Sequence, residues 1–207
     1  FFVQQFENPE NANAHYQTGL EIIKQIPGHK IDAVVSGIGT GGTLVGLARC
    51  FKQEGQDTLA VVARTEGVRL PGTDIECCSL IPGTMMKDFP NLYTIALEKE
   101  SDLKFQEQKI GYDLAMEMTK RLWAKGYPVG PSSGFNYAAA VYYAKQENLG
   151  EETTVLTVFP DRMERYFSTE SFQDIKQKTV AMIREKENEK LRREIKQEIL
   201  NELSIKR

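Results

Sequence analysis

Cysteine and histidine are scarce in this 207-residue sequence. The three cysteines include the adjacent pair Cys77 and Cys78, a poor basis for a disulfide framework, so they read as reduced thiols in a cytoplasmic protein. The two histidines, His15 and His29, are far apart and lack acidic or cysteine companions at ligand spacing, so no metal site is expected. No run approaches the ~18 uninterrupted apolar residues of a membrane helix. The first residues, FFVQQFENPENANAHY, lack the basic stretch and apolar segment of a secretory signal. An excess of basic residues is missing too. Asp and Glu number 29 against 26 Lys and Arg, a net charge of −3, which argues against a general nucleic-acid surface. What is present is a globular composition, 41% apolar with 16 glycines. The length suits one ordinary domain or the larger part of a two-lobed protein. The first residue is Phe1 rather than Met, which suggests a piece of a longer chain.

Apolar periodicity predicts a helix over 16–27, ending at Pro27, and a buried strand over 31–35. A helix is expected over 43–53, with Leu44, Leu47, Ala48 and Phe51 on one face, then a strand over 59–63. Residues 66–93 read as irregular, punctuated by Pro71, Pro82 and Pro90. A strand is expected at 93–97, and one long amphipathic helix, or two, over 101–125. A tight loop at 128–134 leads into an alanine-rich helix to about residue 146, and the last strand spans 153–159. Continuously apolar strands alternating with helices define an α/β fold, a mostly parallel sheet covered on both faces. From Lys176 the composition changes: ten basic residues face six acidic ones, and the apolar residues thin to Leu191, Ile195, Ile199 and Leu203. The expected division is therefore a globular lobe, 1–175, and a charged C-terminal helix, 176–207, solvated or pairing with a partner. With so little apolar surface to bury, that tail is expected to be dispensable for folding of the lobe.

The sharpest local signal is Ser36-Gly37-Ile38-Gly39-Thr40-Gly41-Gly42-Thr43, between a predicted strand and a predicted helix. Glycines turn the backbone tightly and direct successive N–H groups at one anion, the helix start adds positive partial charge, and Thr40 and Thr43 add hydroxyl donors. The segment reads as a phosphate cradle. Its Gly37-x-Gly39-x-x-Gly42 spacing also satisfies the dinucleotide fingerprint, with Glu66 roughly where a ribose-binding acid could follow. Thr43 directly after the last glycine instead favours a terminal phosphate monoester, and the Lys-Ser/Thr ending of a nucleoside-triphosphate loop is absent. A second loop, Gly130-Pro131-Ser132-Ser133-Gly134, opens a helix, where a serine could equally be a plain N-cap. No nucleophile-base triad can be argued from spacing.

Together these segments resemble the fold-type II pyridoxal-phosphate (PLP) enzymes, of which the tryptophan synthase β chain is one, and within them the cysteine synthases, or O-acetylserine sulfhydrylases. QQFENPENANAHYQTGLEI at 4–22 is similar to the family's QQF-x-NP-A-N-x-x-x-HY-x-TTGPEI segment, and VVSGIGTGGT at 34–43 to its phosphate loop. GPSSGFNYAAA at 130–140 resembles G-x-SSGAAxAAA, and FPDRMERYFST at 159–169 resembles LPD-x-x-ERYLST. The likeness covers residues 1–172, and 66–73, 81–84 and Asp161-Arg162 resemble the B-type isozyme. It implies that Gly39, Thr40, Gly41, Gly42 and Thr43 hold the PLP phosphate, that Ser132 hydrogen-bonds the pyridine nitrogen, and that Gln5 lies near the substrate carboxylate. It implies a cytoplasmic homodimer acting on a small amino-acid substrate, making cysteine and acetate from O-acetylserine and sulfide. A cystathionine β-synthase-like enzyme, a nicotinamide-dinucleotide-binding Rossmann protein and a non-enzymatic binding module are the alternatives.

The departures are specific. Thr18 is followed at once by Gly19, so one threonine of TTGPEI is missing; Leu20 replaces its proline; Phe135-Asn136-Tyr137 is bulkier than the usual alanines; and 74–80 (DIECCSL) replaces a glycine- and arginine-bearing loop. The family's Schiff-base lysine, in S-x-K-x-R, and its S-G-N-T-G loop lie upstream of QQF and do not occur in these residues. The N-terminal part of the enzyme is therefore expected to be missing, and this chain alone to be inactive.

Overall fold

The computed structural model describes residues 2–26, 28, 30–66, 68–69, 76–77, 81–84, 90–169 and 172–173. Asn8 starts the first helix: its side chain accepts from the Glu10 N–H, and Pro9 takes the first turn, where a missing N–H costs nothing. This helix, α1 (Pro9–Gln25), begins earlier than the apolar period predicts, because the cap outweighs the polar run that follows it. After it come β1 (Ala33–Gly37), α2 (Gly42–Gln53), β2 (Leu59–Thr65) and a small antiparallel ribbon of β3 (Val68–Arg69) and β4 (Glu76–Cys77). Then follow α3 (Leu92–Lys99), β5 (Phe105–Ile110), α4 (Tyr112–Ala124), α5 (Pro131–Gln146), β6 (Val155–Thr157) and a 3-10 turn at Met163–Tyr166.

The main sheet is wholly parallel, in the order β5-β2-β1-β6, with Ala33 opposite both Leu59 and Val155. Its pleat separates two cores. Val34, Ala60 and Val62 pack under α1, α2 and α3, while Ala33, Val35, Val61 and Ala63 pack under α4 and α5. Burial on both faces explains the unbroken apolar runs of β1 and β2. Asp32 ties the sheet across β1 and β6: its Oδ2 accepts the Thr154 N–H at 2.9 Å. Helix α1 lies close on α2 because Gly46 has no side chain; a Cβ there would collide with the Ala12 carbonyl oxygen.

Two elements correct the sequence reading. Residues 93–97 are helical, not a strand. Asn91 accepts from the Thr94 N–H at 2.9 Å, the Thr94 hydroxyl accepts from the Asn91 N–H at 3.0 Å, and this reciprocal box outweighs the strand preference of Tyr93, Thr94 and Ile95. The 101–125 region is not one or two helices but a strand followed by a helix. FQEQKI is β5, an edge strand beside β2, and its two apolar residues, Phe105 and Ile110, are five apart and face opposite cores, so no strand alternation shows in the sequence. Gly111 then opens α4.

Residues 1–163 form one compact unit and residues 164–207 another. The stripe from Leu191 to Leu203 lies outside the described residues, as do His29, Cys78 and most of 70–80.

Candidate functional site

Strand β1 is followed on one side by β2 and then β5, and on the other by β6. The winding of the chain reverses between β1 and β6, and in open α/β sheets ligands bind outside the carboxyl ends of the strands at that reversal. Three segments converge there: the loop after β1, the start of α5, and the loop after β6.

The loop after β1 is the glycine segment. Its carbonyls are turned inward. Val45 N–H donates to Gly41 O at 3.0 Å and Leu92 N–H to Thr40 O at 3.0 Å, with Asn91 Nδ2 3.5 Å from Gly39 O. With the carbonyls so engaged, the N–H groups of Gly39, Thr40, Gly41, Thr43 and Leu44 have no hydrogen-bond acceptor among the described residues. Gly41 has φ +83°, the left-handed backbone that lets consecutive N–H groups converge. Five open donors, two hydroxyls and the first turn of α2 suit a phosphate monoester.

Helix α1 reaches this loop from below. Asn11 Nδ2 donates to the Gln5 carbonyl oxygen at 2.8 Å and to Thr40 Oγ1 at 2.9 Å. One amide therefore links the Gln5 backbone to the loop. Gln5 itself is exposed and lines a cavity of about 660 Å³ together with Phe2, Val3, Gln4, Phe6 and Glu7. Four residues past Asn11, His15 Nε2 lies 3.0 Å from Thr43 Oγ1, and burial holds its pKa below the ordinary histidine value.

Helix α5 approaches from the other face of the sheet. Ser132 is buried in its first turn, with Oγ 3.5 Å from Asp161 Oδ1, and Gly130 N–H donates to the Asp161 carbonyl at 3.1 Å. Ser133 is fully buried, and its hydroxyl has no hydrogen-bond partner among the described residues. One turn on, Asn136 is 2% exposed; its Oδ1 accepts the Gly37 N–H at 2.7 Å and its Nδ2 donates to Val158 O at 2.9 Å. It fastens the ends of β1 and β6 on either side of the reversal.

Of the residues the sequence singles out, the structure brings the glycine loop and Ser132 to the sheet's reversal and ties the Gln5 backbone to the loop through Asn11. The sequence did not reveal Asn11, His15, Asn91 or Asn136, which hold these segments. Asn11 and His15 lie inside the NPENANAHY stretch, where spacing four apart on a helix was the available signal. Asn136 registers in the sequence only as bulk, and Asn91 only as part of an irregular region, although Asn-x-x-Thr after Pro90 is a capping pattern.

Two further groups bear on chemistry. Cys50 is fully buried between α1 and α2, and burial pushes its thiol up to about 11. We expect it to resist iodoacetamide at pH 8 in the native protein and to react once unfolded, read by mass spectrometry of Cys50 peptides. Among the described residues no group of three His, Cys, Asp or Glu side chains is placed to hold a metal ion, and no helix is long and apolar enough to cross a membrane.

A parallel α/β sheet with a glycine loop of open N–H groups at its reversal is found in many cofactor-dependent enzymes, and comparison with known proteins narrows the class. The chain belongs to the pyridoxal-phosphate dependent enzyme family, whose pattern matches residues 1–161. It is similar to the cysteine synthase of Staphylococcus aureus, 36% identical over 182 residues, covering 82% of this chain and 53% of the relative. Among solved structures it is similar to an O-acetylserine dependent cystathionine β-synthase from Helicobacter pylori, with TM-score 0.69 and 32% identity, covering 83% of this chain and 54% of that one. It is also similar to O-acetylserine sulfhydrylase isoform 3 from Entamoeba histolytica, with TM-score 0.68 and 29% identity, covering 84% of this chain and 50% of that one. The fold is that of the fold-type II enzymes. The chain spans about half the length of the curated relatives it matches.

Proposed function

We propose that this chain is the PLP-binding part of a cysteine synthase, an enzyme that makes cysteine and acetate from O-acetylserine and sulfide. The observation that carries this reading is the set of open N–H donors of Gly39, Thr40, Gly41, Thr43 and Leu44, flanked by two hydroxyls at the sheet's reversal. Gly39, Thr40, Gly41, Gly42 and Thr43 hold the phosphate. Ser132, at the head of α5, presents a hydroxyl to the ring nitrogen. Gln5, tethered through its carbonyl to Asn11, serves the substrate carboxylate. When bound, PLP supplies the electron sink for loss of a β-substituent from an amino acid. The chain's own residues supply binding and orientation.

The first test is binding. PLP titrated into the 207-residue chain, followed by fluorescence and ³¹P NMR, should bind reversibly, and Thr43→Ala should weaken binding roughly 5- to 30-fold, equivalent to about 1–2 kcal/mol for one lost donor that water partly replaces. Equal affinity in the variant would sink the phosphate assignment.

The second test is turnover. The S-x-K-x-R lysine motif does not occur in these residues. We expect no cysteine from this chain with O-acetylserine and sulfide, and cysteine when the lysine-bearing N-terminal part of the Staphylococcus aureus relative is supplied, fused or as a second chain. Turnover by the 207 residues alone would refute this division of labour. The likeness to an O-acetylserine dependent cystathionine β-synthase favours one alternative, in which a larger thiol replaces sulfide. Faster turnover with homocysteine than with sulfide would select it. We also propose a cytoplasmic homodimer, which sedimentation of the complemented enzyme would check.

A further inference from the structure

A threonine hydroxyl can donate or accept, and only a donor helps to hold an anion. For Thr40 the neighbours settle the matter. Its Oγ1 accepts from Asn11 Nδ2 at 2.9 Å and from the Gly42 N–H at 3.2 Å, so its own proton is left for a third partner. For Thr43 the matter turns on one contact, His15 Nε2 at 3.0 Å. Asn11 and His15 stand four apart, hence on one face of α1, and that face lies against α2 where Gly46 admits it.

We propose that His15 is a positioning residue for the cofactor phosphate: as the Nε2–H tautomer it donates to Thr43 Oγ1, so that one face of α1 presets both loop hydroxyls as donors to a phosphate monoester. This rests on the glycine loop being the phosphate site. The opposite tautomer would draw the Thr43 proton onto His15 and turn only oxygen lone pairs toward the anion. Burial keeps His15 neutral near pH 7, so its single ring N–H must sit on one nitrogen or the other. No other described group bonds Nε2, and an anion at the first turn of α2 favours a hydrogen-bond chain running from His15 through Thr43 toward it.

The test uses the full 207-residue chain. Long-range ¹H–¹⁵N spectra of its two histidines, told apart with His29→Gln, report the tautomer directly. We expect His15 to be Nε2–H, and more completely so with PLP or inorganic phosphate present. His15→Leu should weaken PLP binding about fivefold, the size of one ordinary hydrogen bond, and His15→Gln, which keeps an N–H, should recover most of that loss. In a Thr43→Val background His15→Leu should cost nothing more, whereas a merely structural role would cost the same with or without the hydroxyl. An Nδ1–H tautomer with PLP bound, or equal cost in both backgrounds, overturns the inference and leaves the phosphate site standing. Undiminished PLP binding by Gly41→Val overturns both.

Discussion

Replacing Gly41 by valine should abolish measurable PLP binding and lower the melting temperature of the chain. The residue has φ +83°, a left-handed backbone that costs a residue with a side chain roughly 1–2 kcal/mol and a β-branched one more. Space is the larger obstacle. A Cβ at Gly41 would stand 2.6 Å from the Tyr93 amide nitrogen and 2.7 Å from its Cβ, and backbone does not yield as a flexible side-chain tip would. Either the loop or the start of α3 must move. Movement breaks the Leu92-to-Thr40 hydrogen bond that turns the loop carbonyls inward, so the open N–H groups no longer converge. We expect affinity to fall more than about 100-fold, as several donors are lost together. A PLP titration followed by fluorescence, with circular dichroism melting alongside, reads both effects. Affinity within a factor of two of the parent chain would mean that the loop is not where the phosphate sits.

The second large effect is expected at Asn136. Leucine nearly matches asparagine in shape, so Asn136→Leu leaves little cavity while removing both hydrogen bonds. The Gly37 N–H and the Val158 carbonyl are then stranded in the interior, at about 1–3 kcal/mol each. We expect the urea midpoint to fall by an amount equivalent to 2–4 kcal/mol, with the denaturant slope unchanged. PLP affinity should fall as well, because Gly37 is the root of the glycine loop. A midpoint within a few tenths of a molar of the parent would show that water replaces the asparagine, and the account of this residue as a fastener between β1 and β6 would fail.

The unequal legibility of the sequence has physical causes. Strands β1 and β2 were readable because both their faces are buried, which demands apolar residues at every position. β5 was not, because an edge strand needs apolar residues only where it meets the core, and FQEQKI offers two of them, five apart on opposite faces, which leaves no alternation to read. α3 was hidden for the opposite reason. Its β-favouring residues are overruled by one local hydrogen-bond box at Asn91 and Thr94. The glycine loop was legible because a left-handed backbone and close approach, as at Gly41, leave glycines in the sequence. The supports of that loop were not, because Asn11, His15 and Asn136 act across separations of 29, 28 and 99 residues, which no local pattern reveals.

Those separations also set an order of events as the chain is made. The glycine loop and its partners on α1 and α2 lie within the first quarter of the sequence and can meet early, since short loops close at little entropic cost. The other wall of the pocket depends on β6 joining β1, where Asp32 pairs with Thr154 and Val35 with Thr157, each pair 122 residues apart. Until that late pairing forms, Asn136 has no Val158 carbonyl to hold and the crevice has one side. The crevice is therefore a product of long-range contacts, whose closure costs the most chain entropy. On a ribosome it stays half-built until the segment beyond residue 158 has cleared the exit tunnel and Asn136 can reach its second partner.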